Sequence, residues 1–237
     1  RLVHGAMEMN KNVRIYQAST SEMFGKTRPP QSEKSLFQPV SPYGLSKLRA
    51  HQDYVEGYRN RHGLFICSGF MFNHESPRRG EHFVTRKIVI SLAKIMLGLQ
   101  EKLELGNLNA KRDWGYAGDY VEAMWKMLQQ RQPQDFVIAT GEAHTVRDFV
   151  NAAGKALKMF IRWEGKGPKE VGRDMNGKVV VSVNKKLYRP IDVHNLLGDA
   201  SKAKKILGWK PKVSFEELVK LMVDSQLVHF REPSRNI

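Results

Sequence analysis

Val13-Arg14-Ile15-Tyr16-Gln17-Ala18-Ser19-Thr20-Ser21-Glu22 opens with β-branched and aromatic residues and ends in small polar ones, which reads as a strand running into a loop. Residues 24–42 then hold Pro29, Pro30, Pro39 and Pro42 among polar neighbours, which makes a long loop. From Tyr43 to about residue 61 the pattern turns helical, with Leu48, His51, Val55 and Tyr58 along one side and Gly63 placed to stop it. Leu64-Phe65-Ile66-Cys67 is a continuous apolar run, as a buried parallel strand requires. Strand, loop, helix and strand in this order is the grammar of an α/β, doubly wound parallel sheet.

Beyond it, residues 73–80 form a polar, Arg-rich loop, and residues 83–99 read as an amphipathic helix. Residues 103–105 form a short strand, 116–129 a helix, 136–139 a strand, and 145–158 a helix opened by Thr145 and Asp148. Residues 164–181, rich in Gly, Lys and Glu, read as a mobile loop before Val179-Val180-Val181. Helices at about 201–207 and 215–228 follow, the last with Ser214 and Glu217 as a capping-box pair. Trp114 and Trp125 are assigned to the core.

The chain has 237 residues, 41% of them hydrophobic, enough for one large domain or two small ones with a packed core. No run approaches the ~18–20 apolar residues of a membrane span. The start, Arg1-Leu2-Val3-His4, has no methionine and no signal-peptide pattern, and it looks like an entry into the middle of something longer. The single cysteine, Cys67, sits in an apolar run without metal-ligand spacing, so it is assigned to buried structure, and a reducing cytoplasm fits it. The net charge of +15 attracts polyanions, but the basic residues are scattered, with only short clusters such as Lys202, Lys204 and Lys205. No zinc-finger, homeodomain or RNP-like pattern accompanies them, so a basic surface is preferred to a nucleic-acid site. No metal site is expected. A dinucleotide fold needs a Gly-rich turn after its first strand, and no G-x-G-x-x-G is present; Gly165-Lys166-Gly167 follows no predicted strand and opens no predicted helix.

Two segments carry chemistry. Tyr43-Gly44-Leu45-Ser46-Lys47 is a Y-x-x-x-K at a helix start, which puts phenol and ammonium on one face. A neighbouring ammonium favours the phenolate, making tyrosine usable as an acid or base. Thr20 and Glu22 lie where the strand from Val13 ends, and open α/β sheets bind ligands outside the carboxyl ends of their strands. A hydroxyl there can orient a substrate oxygen, and a carboxylate can take a proton from carbon.

Ser/Thr followed by Tyr-x-x-x-Lys resembles the extended short-chain dehydrogenase/reductases. Residues Tyr16-Gln17-Ala18-Ser19-Thr20-Ser21-Glu22-Met23-Phe24-Gly25, Phe72-Asn73-His74-Glu75-Ser76-Pro77-Arg78-Arg79-Gly80 and Phe83-Val84-Thr85-Arg86-Lys87-Ile88 resemble, more narrowly, GDP-mannose 4,6-dehydratases. Residues 106–115, 119–125, 136–142 and Tyr188-Arg189-Pro190 add to the likeness, which runs to about residue 228. It implies a partial Rossmann-type sheet over residues 1–72 with the catalytic residues. A smaller C-terminal α/β substrate-binding lobe would occupy most of residues 73–237, some segments returning to the sheet.

The resemblance also implies a hydro-lyase that makes GDP-4-keto-6-deoxy-mannose from GDP-mannose in GDP-fucose and deoxyhexose formation. NADP is its recycled hydride carrier. Tyr43 would take the carbon 4 hydroxyl proton, Thr20 would orient that oxygen, and Lys47 would favour the phenolate and hold the nicotinamide ribose. Glu22 would be the carbon 5 base and help water leave from carbon 6. His74 and Arg79 match cofactor-contacting positions, while Asn73, Lys87, Arg112, Arg189 and Asp192 match the nucleotide-sugar site. Arginine suits a pyrophosphate through its bidentate fork. The Arg-rich loop of the family reaches a neighbouring subunit, which implies a tetramer.

Two departures stand out: Phe24 where a tyrosine is usual, and Asp192 where a glutamate usually follows Arg-Pro. The third is the glycine loop, whose absence predicts a polypeptide that by itself is inactive and aggregation-prone. The rival readings are another sugar-nucleotide epimerase, dehydratase or reductase of the superfamily, of which a simple reductase or 4-epimerase would not need Glu22 as a base, and a non-catalytic basic binding protein.

Overall fold

Residues 65–71 bury alternate side chains in different cores: Cys67 and Met71 in one, Ile66 and Phe70 in two others. An apolar run that does not alternate with polar residues needs such cover on both faces. The structure, a computed structural model, describes residues 1–187 and 195–231. In chain order it begins with α1 (Leu2–Met9), β1 (Arg14–Ala18) and a 3-10 turn (Ser21–Met23). Helix α2 (Pro42–Ala50) continues through a π-helical segment (His51–Glu56) into α3 (Gly57–His62). Then come β2 (Phe65–Met71), β3 (Asn73–Glu75), α4 (Val84–Met96), β4 (Leu103–Leu105), β5 (Lys111–Arg112), β6 (Trp114–Tyr116) and α5 (Ala117–Leu128). After β7 (Phe136–Ile138) and β8 (His144–Thr145) follow α6 (Val146–Ala156), β9 (Arg162–Glu164), β10 (Val171–Arg173), β11 (Val179–Val183), β12 (Asn195–Leu196), α7 (Ser201–Leu207) and α8 (Phe215–Arg231).

Two compact units divide the chain. The first takes residues 1–74, 113–143 and 193–212. Its sheet is parallel, in the order β1-β2-β7, with Arg14 opposite Phe65 and Gly69 opposite Phe136. Helix α5 lies against β1 and β2, and its Tyr120, Ala123 and Met127 share a core with Cys67, Phe136 and Trp209. On the other face Val55 meets Ile66, and Phe24 meets Phe70 and Phe72. Burying one such side chain contributes roughly 1.5–3 kcal/mol. Gly63 ends α3 where the sequence places the stop, in the left-handed conformation at φ 61°. The π-helical turn after α2 was not foreseeable, because apolar spacing does not distinguish it from α.

The second unit takes residues 75–112, 144–192 and 213–237. Helices α4, α6 and α8 pack on one another, and four strands form a sheet in the order β4-β11-β10-β9. The expected mobile loop at 164–181 is instead mostly ordered backbone, with β10 paired antiparallel to both β9 and β11. Asp174 makes the turn: its carboxylate accepts from the backbone of Asn176 and Lys178, each at 2.9 Å. Thr145 and Asp148 form the predicted capping box on α6, and Ser214 and Glu217 exchange the expected bonds before α8. Trp114 is 2% exposed, as assigned, but Trp125 is 62% exposed on α5 and does not belong to the core. The spacing Tyr120, Ala123, Met127 defines the buried side of α5, and Trp125 falls off it. Cys67 is free and buried. Among the described residues no helix is long and apolar enough to cross a membrane.

Candidate active site

The end of β1 and the start of α2 are drawn together by backbone. Ser19 donates its N–H to Gly69 O at 3.0 Å, fixing the end of β1 to β2. Thr20 caps the 3-10 turn, its hydroxyl accepting from Glu22 N at 3.2 Å. Ser41 caps α2 by accepting from Gly44 N at 3.0 Å, and Pro42 is pre-set for the first helical position. Gly44 is needed here: a Cβ on it would lie 2.7 Å from Glu22 O, so only glycine lets the helix press on the turn that carries Glu22. Lys47 closes the corner, donating from Nζ to Ala18 O at 2.9 Å, with Nζ 5.8 Å from the centroid of the Tyr43 ring.

Thr20, Glu22, Tyr43 and Lys47 therefore gather at the carboxyl end of β1. Thr20 is buried, Glu22 and Lys47 are half-buried, and Tyr43 is 53% exposed, open to a ligand. The single bond of Lys47 is to a neutral carbonyl, so its charge stays available to the phenol or to a ligand hydroxyl. Among the described residues no group of three or more His, Cys, Asp or Glu side chains could hold a metal ion.

The remaining predicted residues divide between the units. In the first, Asn73 lies in β3, and His74 binds Phe72 O through Nδ1 at 2.9 Å while stacking on Tyr120 at 5.0 Å. In the second, Lys87 on α4 donates to Glu104 O at 2.7 Å, and Arg112 in β5 donates to Lys111 O at 2.8 Å. Arg79 follows β3, with its guanidinium over the Phe83 ring. Arg189 and Asp192 lie outside the described residues.

A family model described as GDP-mannose 4,6 dehydratase matches residues 1–222.

This chain belongs to the GDP-mannose 4,6-dehydratase family.

GDP-mannose 4,6 dehydratase 2 of Arabidopsis thaliana is 53% identical to it over 221 residues, which are 93% of this chain and 55% of the relative. The chain thus spans about half the length of the curated relatives it matches. Two solved structures share its Rossmann-type fold. RMD from Pseudomonas aeruginosa, complexed with NADPH, superposes with TM-score 0.81 at 17% identity, covering 96% of this chain and 71% of that one. The dTDP-glucose 4,6-dehydratase of Bacillus anthracis, in complex with NAD, does so with TM-score 0.76 at 19% identity, covering 98% and 67%.

The structure of this GDP-mannose 4,6-dehydratase family member also exposes residues that motif reading passed over. Asp113 is fully buried and accepts from Thr140 N, Thr140 Oγ1, Gly141 N and Gly198 N at 2.7–3.3 Å. Burial pushes its carboxyl above the ordinary range, and those donors pull it back. An acid flanked by Arg112 and Trp114 was the available signal. Glu75, at the end of β3, is 1% exposed, and nothing in its polar, Arg-rich stretch announces a buried acid. A cavity of about 290 Å³ beside His51 and Phe70 is lined by none of the four corner residues. Two of its charged groups are already paired, Arg59 being bidentate to Asp135 at 3.0 and 2.6 Å.

Proposed function

We propose that this chain carries the catalytic residues of a GDP-mannose 4,6-dehydratase. The enzyme is a hydro-lyase that converts GDP-mannose to GDP-4-keto-6-deoxy-mannose and water, with NADP as recycled cofactor. The observation that supports it most directly is the corner itself: a hydroxyl, a carboxylate, a phenol and an ammonium at the carboxyl end of one parallel strand, pressed together through Gly44. Family membership favours this reading over an epimerase or a reductase.

Tyr43 takes the proton of the carbon 4 hydroxyl while Thr20 orients that oxygen. Lys47 supports the phenolate and reaches the ribose hydroxyls beside it. The carbon 4 ketone acidifies the carbon 5 proton, which Glu22 removes and then delivers to the departing carbon 6 hydroxyl. Exposed Tyr43 and singly bonded Lys47 fit the nicotinamide end of a dinucleotide, whose ring supplies the hydride exchange. RMD, solved with NADPH, and the dTDP-glucose enzyme, solved with NAD, bind nicotinamide cofactors; NADP is the member of the pair we assign here. His74 and Arg79 serve the cofactor, and Asn73, Lys87, Arg112, Arg189 and Asp192 the nucleotide sugar, in a cytoplasmic homotetramer.

The test is turnover of GDP-mannose by this chain joined to the glycine-loop region of the Arabidopsis relative, followed by product chromatography. Product should form with NADP. Glu22→Gln should leave oxidation at carbon 4 visible as reduced cofactor while abolishing the dehydrated product. Absence of product from the joined protein, with GDP-mannose and cofactor both bound, would remove the reading.

A further inference from the structure

Glu75 is the most buried acid of the second unit's Arg-rich segment, 1% exposed at the end of β3. Two groups face it. The Thr85 hydroxyl, from the first turn of α4, donates to Oε2 at 2.7 Å. The Arg79 Nε lies 3.1 Å from the same oxygen, an ion pair too bent to count as a hydrogen bond, so Nε is buried without an acceptor. The guanidinium is otherwise well held: its Cζ stands 3.5 Å from the Phe83 ring centroid, and the Arg79 backbone N–H donates to Ser76 O at 3.0 Å. Its two terminal nitrogens take no hydrogen bond among the described residues, and the side chain is 23% exposed.

This is an arginine fixed at its base with its bidentate end open, backed by a buried carboxylate with one good donor. Phosphoryl oxygens suit the open end, since the planar fork matches two of them at once. Such a ligand places a second negative charge across the guanidinium from Glu75. With so little water near the first charge, the two anions compete for one cation.

We propose that Arg79 is shared between Glu75 and an incoming phosphoryl group, so that anion binding at Arg79 takes up a proton at Glu75. The proposal rests on the function above for the identity of the anion, a phosphoryl group of the dinucleotide. Burial already pushes the Glu75 carboxyl up to about 7, against the lowering pull of Arg79 and Thr85, so the exchange falls in the neutral range. The sign follows from linkage: the ligand favours the protonated acid and raises its midpoint, and by reciprocity binding weakens as pH rises through 7.

The test uses the joined protein described above, with inorganic pyrophosphate and NADP as separate probes. Carboxyl carbon resonances of ¹³C-glutamate protein, assigned with Glu75→Gln, are followed from pH 5 to 9 with and without each probe. Saturating pyrophosphate should raise the Glu75 midpoint by about one unit, equivalent to roughly tenfold in affinity between the two protonation states. Glu75→Gln should bind at high pH as tightly as wild type does at low pH, keeping only the pH dependence of the probe's own ionisation. Arg79→Ala should abolish the shift. A Glu75 midpoint unmoved by either probe, or a Glu75→Gln profile matching wild type, overturns the proposal. If pyrophosphate moves Glu75 and NADP does not, the proton linkage stands and the dinucleotide assignment falls.

Discussion

Two regions of the first unit gather polar side chains at the carboxyl ends of parallel strands, and they do opposite things with them. Around Asp113, beside the end of β7, four donors find a carboxylate that is itself fully buried. At the corner beyond β1, Tyr43 is half in solvent, Lys47 has one carbonyl, and Thr20 spends its oxygen on a cap. A fully bonded buried acid is a pin, because each partner would cost free energy if left unmet. Side chains with spare capacity in the open are what a reacting ligand can use. Conspicuous hydrogen bonding at Asp113 thus marks support, and the incomplete bonding at the corner is where we place the chemistry.

The comparison breaks first at Tyr43. In the protein completed by a glycine loop, Tyr43→Phe should cut kcat by on the order of 10²–10⁴-fold, the usual contribution of a positioned acid or base. The melting temperature should barely move, since the hydroxyl supports nothing. If Tyr43→Phe instead unfolds the protein at unchanged specific activity, the corner is structure. The converse variant is Asp113→Ala. It strands three backbone N–H groups and the Thr140 hydroxyl, and should cost about 3–5 kcal/mol by urea denaturation. A loss below about 1 kcal/mol would mean water replaces the carboxylate freely and the pin is no pin.

Glu75, in the second unit, sharpens the contrast, as a buried acid without a full set of donors. Its folded pKa of about 7 lies above its ordinary 4.5. Between those values the folded state holds the extra proton, so stability is fullest below pH 4.5, falls as pH rises to 7 and is flat beyond. The total is on the order of 3–4 kcal/mol at most, at about 1.4 kcal/mol per unit. Glu75→Gln should match wild type near pH 4.5 and exceed it at pH 8, checked by denaturant midpoints at both pH values. Equal midpoints at pH 8 would show that Arg79 and Thr85 already satisfy the charge.

How far these contrasts could be read in the sequence depends on which interactions are local. The strands at 13–18 and 64–67, the stop at Gly63 and the caps at Thr145 and Ser214 depend on neighbours a few residues away, so their spacing announces them. Thr20, Glu22, Tyr43 and Lys47 were legible as candidates because each sits at the end or start of a legible element. Their closeness was not, since it depends on Gly44 meeting the Glu22 carbonyl across a long loop. The partners of Asp113 at 140, 141 and 198 were invisible for the same reason. At 164–181 a local cue misled: glycine and charge suggested mobility, whereas strands on both sides of β10 supply its backbone partners. Trp125 shows that size alone does not bury a side chain; the helix face decides it.

The smallest effect asks whether the corner is held by its cap or by its long-range contacts. Ser41→Ala removes the acceptor for Gly44 N, and N-cap losses of this kind cost about 1 kcal/mol. Helix α2 is also anchored by the Lys47 bond to Ala18 and, through Val55 and Leu48, by the cores beneath it. Fraying should therefore stop within the first turn, which is the turn that carries Tyr43. Global stability would fall slightly while kcat falls more than that loss predicts, and amide exchange would quicken at Gly44 and Leu45 but not at Val55. Exchange quickening evenly from 44 to 55 would mean that the cap holds the whole helix, and that the corner borrows its geometry from one serine instead of from the sheet.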